Sequence, residues 1–181
     1  MRAAARRFDD FSALLSRIAL WGAVLAVAGM VIIAAWQAAA RYLLDQPPIW
    51  TEQLASNLMV WAGLLGASCA FRAKLDPSLF PDQQFRDGAV GLFLRFLRAF
   101  GTLVFVLPIL WYCIFGLNGS VASGYIARLS GRMAESLPVS MSVFGIAIPI
   151  GFALVVIHVL ADLGLAVSGA HPRERHERPT I

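Results

Sequence analysis

Four stretches of this chain contain no Asp, Glu, Lys or Arg: residues 18–40, 53–71, 99–127 and 136–161. The hydrocarbon core of a bilayer is about 30 Å thick and takes roughly 20 apolar residues of helix to cross. Each stretch is close to that length or longer. Inside a bilayer every backbone N–H and C=O needs an internal partner, which a helix supplies. The sequence therefore predicts an all-α membrane protein with four transmembrane helices, near 18–40, 53–71, 99–118 and 138–161, and one or two interfacial amphipathic helices. The overall content agrees, with 59% apolar and 14% charged residues, where a soluble domain carries about 25% charged. An ordinary soluble enzyme, a disordered chain and a disulfide-stapled domain do not fit.

The 15 basic residues are unevenly placed. Arg2, Arg6, Arg7 and Arg17 precede the first span. Arg72, Lys74, Arg86, Arg95 and Arg98 fall between spans two and three, and Arg173, Arg175 and Arg178 follow span four. Only Arg41, Arg128 and Arg132 lie on the other side. Cytoplasmic loops carry the excess of Lys and Arg, so both termini and the middle loop are expected inside the cell. Bilayer topology accounts for the basic balance without invoking nucleic acid. The first uncharged run, 23 residues long, exceeds the roughly 7–15 of a signal-peptide core, which favours an uncleaved span.

Residues 1–17 place Phe8, Phe11, Leu14 and Leu15, with Ile18 beyond them, at spacings of three and four. This predicts a short helix lying on the inner surface and leading into span one. Trp21, Trp36 and Tyr42 suit the two interfaces. Pro47-Pro48 ends the helical run. Thr51 is then expected to cap span two, with Glu52 in its first turn. Ala62, Gly66 and Ala70 recur every four residues, a small-residue face that lets another helix approach closely. Phe85, Ala89, Leu92, Phe93, Phe96 and Leu97 make residues 82–98 either an interfacial helix or an early start to span three. Asn118-Gly119-Ser120 marks the end of span three. Pro149 and Gly151 lie inside span four and are expected to bend it. His158 and Asp162 share a face near its inner end. Cys69 and Cys113 have no paired spacing and read as small buried residues. A polar tail covers 169–181, after a membrane domain of 18–168.

Catalytic or conducting membrane proteins usually place ionisable residues within the bilayer. Here the uncharged runs hold one histidine, His158, and no pair of haem ligands, no Cys-x-x-Cys and no phosphate-binding loop. The residues thus imply no catalytic group, bound cofactor or metal. The reading is a helical subunit that packs against a partner and against lipid. A self-assembling four-span channel or exporter, or a membrane anchor of a redox enzyme, stand as alternatives.

Arg41-Tyr42, Pro47, Trp50-Thr51-Glu52, Val60-Trp61 and Leu65-Gly66-Ala67, closing on Arg72, resemble the small membrane subunit of tripartite ATP-independent periplasmic (TRAP) transporters, the DctQ-like family. Pro149-Ile150-Gly151 is similar to the pattern of its final helix. Two departures blur the substrate subgroup. Gln53 replaces the second acid of a Glu-Glu pair, and Ala73-Lys74-Leu75-Asp76 stands where a histidine is usual. The resemblance implies a bacterial inner-membrane protein that pairs with a large multi-span subunit, on which sodium coupling would reside. A periplasmic substrate-binding protein would deliver an organic acid, and the small subunit would brace the moving one. It also makes Arg41, Trp50 and Glu52, with Ala62, Gly66 and Ala70, the candidate partner-interface residues.

Overall fold

The computed structural model describes residues 2–46, 48–75 and 88–169. Its long elements are α1 (Arg2–Leu43), α2 (Trp50–Ala73), α3 (Gly88–Phe115) and, after two short helices α4 (Tyr125–Ser130) and α5 (Ser142–Gly145), α6 (Ala147–Ser168). Four helices are long and apolar enough to cross a membrane, α5 and α6 counting together as the fourth. The all-α, four-span architecture read from the uncharged runs is the one observed.

Neighbouring residues fix the directions. Ser12 meets Arg72, Ser16 meets Cys69, Gly22 faces Leu65 and Gly29 faces Leu58. One number rises as the other falls, so α1 and α2 are antiparallel. Ser12 with His158 and Arg2 with Ser168 set α1 antiparallel to α6 in the same way. Leu64 with Gly151 and Lys74 with Asp162 set α2 and α6 parallel. α6 packs on α1, α2 and α3 and is the central helix. A small core of Ala19, Ala23, Leu65 and Leu154 ties α1, α2 and α6 together, with Leu15, Trp61 and Cys69 packed on it. Alanine and glycine at these crossings bring the helices close. A β-carbon on Gly22 would come within 2.9 Å of Leu65 Cδ1, and one on Gly151 within 2.8 Å of Leu64 Cβ.

The structure departs from the sequence reading at three places and decides between its two alternatives at another. First, α1 is one helix of 42 residues, about 60 Å long at 1.5 Å per residue. The amphipathic N-terminal segment is not a separate surface helix. No proline or glycine interrupts residues 2–21, and Ser12 is tied to both α2 and α6, which carries the segment onward along the bundle. Second, from Gly88 the amphipathic stretch is the first part of α3, so it is an early start to span three; residues 82–87 and the tail from 170 lie outside the described residues. Third, Thr51 does not cap α2. The helix begins at Trp50, and the Thr51 hydroxyl donates to Pro48 O at 2.7 Å. Fourth, Pro149 does not bend a continuous span. It falls in the first turn of α6, and the helix is broken just before, at Ile146. Proline has no N–H for the carbonyl four residues back and its ring crowds that carbonyl, here that of Gly145.

At the far end from the N-terminus, α3 stops at Phe115 because Gly116 turns left-handed, φ +65°. A β-carbon there would run into Ser123 O. The chain then makes a 3-10 turn at Val121–Ser123, α4, and a tight reversal in which Met133 pairs with Ser140. Gln53 of α2 fastens this segment. Its side-chain oxygen accepts from Ser136 N at 3.0 Å and from Ser136 Oγ at 2.5 Å.

Candidate functional site

Polar groups gather where the N-terminal part of α1, the end of α2, the start of α3 and the end of α6 meet. Arg72 closes α2. Its guanidinium donates to three acceptors on α1: Asp9 Oδ1 at 2.8 Å, Asp9 O at 3.2 Å and Ser12 Oγ at 2.5 Å. Ser12 is fully buried and lies 2.7 Å from His158 Nδ1, with His158 only 2% exposed. Arg72 can only donate, so Ser12 Oγ accepts from it. The hydroxyl keeps a second lone pair and its proton, so toward His158 Nδ1 it can accept or donate; where it donates, the ring proton sits on Nε2. Alongside, Lys74 pairs with Asp162 at 3.0 Å, and the Arg98 guanidinium lies 4.5 Å above the Phe71 ring.

These groups border a cavity of about 960 Å³. Arg17, Arg72, Lys74, Arg95 and Arg98 line it, facing Asp9, Asp10 and Asp162, with Leu20, Val159 and Leu165 among its apolar walls. Two buried nitrogens at its border, His158 Nε2 and Arg95 Nε, have no hydrogen-bond partner among the described residues. The structure also shows no grouping of three His, Cys, Asp or Glu side chains among the described residues. The arrangement is suited to binding an acceptor-rich, negatively charged group.

The residues singled out from the sequence divide between the two ends. Gly66 and Ala70 line the basic-end cavity, and Ala62 lies one turn before Gly66 on α2. A β-carbon on Gly66 would meet nothing within 4 Å among the described residues, so no described helix presses on that position. Arg41, in the last turn of α1, and Glu52, in the first turn of α2, are exposed at the other end. No ion pair joins them among the described residues, where the pairs are Arg72–Asp9 and Lys74–Asp162. Trp50 is exposed and borders a shallow hollow with Gln46, Pro48, Ile49, Glu135 and Ser136. His158 faces Ser12, while its expected neighbour Asp162 pairs with Lys74. Cys113 is buried; Cys69 is half-buried, its thiol donating to Ser16 O at 3.2 Å.

The sequence reading missed the Asp9–Ser12–Arg72–His158 cluster and the Gln53 latch. Two acids inside an otherwise basic N-terminal segment, and one histidine in an uncharged run, were the visible signals for the cluster. The contacts themselves span 60 to 146 residues of sequence, and no local pattern encodes them.

A family model described as tripartite ATP-independent periplasmic transporters, DctQ component, matches residues 30–169. Comparison with curated proteins gives no match.

Proposed function

Since the chain belongs to the DctQ component family of tripartite ATP-independent periplasmic transporters, we propose that it is the small scaffold subunit of a sodium-driven transporter, bracing a large membrane subunit during uptake of an organic acid. A periplasmic binding protein delivers that substrate. The basic end of the bundle faces the cytoplasm and the Arg41, Trp50 and Glu52 end faces outward. Ala62, Gly66 and Ala70 contribute to the face that meets the large subunit.

One observation carries this reading beyond the family match. Among the described residues the two ion pairs found, Arg72–Asp9 and Lys74–Asp162, lie at the basic end, while the flanks of the spans keep large apolar side chains uncovered, among them Trp21, Ile32, Phe93, Phe105 and Trp111. A contiguous uncovered apolar surface marks a membrane or protein contact. A frame that resists tilting while a neighbour moves needs wide lipid and subunit contact, and it does not need intramembrane charge. The family description places the chain in a transporter of several parts, which supports a supporting role for a component with this surface.

The test is reconstitution. The tagged chain, expressed with its transport partners and purified in mild detergent, is expected to bring down one large membrane subunit in fixed ratio. Liposomes containing the chain alone are expected to show no sodium-dependent organic-acid uptake, and adding the large subunit and binding protein is expected to restore it. Robust uptake by the chain alone would refute the scaffold reading.

A further inference from the structure

We propose that the basic-end cavity holds the phosphate of an anionic membrane phospholipid. Three independent observations converge on it. The first is charge: among the described residues five cations border the cavity against three carboxylates. Asp9 is paired with Arg72 and Asp162 with Lys74. The second is hydrogen bonding. Buried polar groups are normally paired, yet Arg95 Nε and His158 Nε2 are buried without a partner among the described residues. Arginine has no acceptor, and His158 Nε2 carries the proton in the tautomer whose Nδ1 accepts from the Ser12 hydroxyl. In that tautomer both orphans are donors that oxygen acceptors would satisfy. The third is wall chemistry. Leu20, Val159 and Leu165 border the same cavity as the cations, a combination that accepts a charged head and the start of an acyl chain.

A phosphate ester satisfies all three. Its oxygens accept from the Arg95 fork and from His158, and its charge offsets the cationic excess. Basic pockets between spanning helices are a known way to hold anionic headgroups. The cavity lies among the ends of four helices, at the level where a leaflet's phosphates sit if the spans cross the bilayer. The proposal uses the four-span architecture and does not depend on the transport partner, so it can fail while the scaffold reading stands.

The experiment is native mass spectrometry of the delipidated full chain in detergent, titrated separately with phosphatidylglycerol, phosphatidylcholine and inorganic phosphate. Phosphatidylglycerol is expected to fill one saturable site and phosphatidylcholine to bind at least tenfold more weakly. Arg95→Gln is expected to weaken phosphatidylglycerol binding about tenfold, and Arg95→Lys to restore only part of it, because lysine keeps the charge and loses the planar fork. In the ¹⁵N-histidine-labelled protein the lipid is expected to shift the His158 Nε2 resonance. Equal binding of the two lipids overturns the proposal, as does indifference to Arg95→Gln and Arg17→Gln in folded protein. Saturable phosphate binding at this site without lipid binding overturns it in favour of a soluble phosphate ligand.

Discussion

Arg72 is the residue on which most of the basic end depends. It is only 14% exposed in its side chain and serves three acceptors on α1. Removing it strands Asp9 and takes away the donor that orients Ser12 toward His158. Arg72→Leu is expected to lower unfolding stability in detergent by about 2–3 kcal/mol, the scale of hydrogen bonds to charged groups left unmade. Lys74→Leu breaks the more exposed pair with Asp162, 23% and 33% exposed, and is expected to cost about 1 kcal/mol or less. A chemical-denaturation series on the two variants checks the ranking. Arg72 was visible in the sequence as a basic residue closing a span. Its partners were not, because Asp9 and Ser12 lie about sixty positions earlier and meet it only once α1 and α2 are set antiparallel. Gln53 is similar. The sequence marks it as a departure from a Glu-Glu pair, whereas its bonds to Ser136 depend on how the α3–α6 connection folds back.

For the helices, close packing and open faces make opposite predictions about glycine. A β-carbon on Gly151 would strike Leu64 Cβ, an atom fixed to the helix, whereas one on Gly22 meets the mobile end of Leu65. Gly151→Ala is therefore expected to destabilise by about 1–3 kcal/mol, the range for overpacking, and Gly22→Ala by less, as read from thermal unfolding. Gly66→Leu enters open space. It is expected to leave the isolated chain's stability within about 0.5 kcal/mol while reducing recovery of the large subunit in co-purification. Unchanged recovery would remove Gly66 from the proposed partner face. The repeat of Ala62, Gly66 and Ala70 was legible as a small-residue strip, but period alone does not say which neighbour it meets. Among the described residues Gly22, Gly29 and Gly151 sit at close crossings of the long helices, and none was singled out by its spacing from the many small residues of a membrane span.

Taken as a whole, the molecule is a bundle centred on α6 with polar anchors concentrated at one end and apolar flanks left uncovered. Its orientation is open to direct measurement. In a background with Cys69 and Cys113 replaced by alanine, Asp45→Cys is expected to react with a membrane-impermeant maleimide added to intact spheroplasts. Arg6→Cys is expected to react only after permeabilisation. The reverse labelling pattern would invert the proposed topology, and with it the leaflet that supplies the phospholipid.

The sequence by itself determined the number of spans, their helical character and the ends at which charge collects. Those follow from one local requirement, that a backbone in hydrocarbon must satisfy its own hydrogen bonds and expose apolar side chains. Family membership was legible for the same reason, in short motifs along α1, α2 and α6. The tertiary structure alone decided that the N-terminal segment continues span one, that Pro149 starts a helix after a break, and that Asp9, Ser12, Arg72 and His158 meet. Each of those depends on which helices are neighbours and in which register, and register is set by packing summed over whole helices. No single stretch of the chain holds that information.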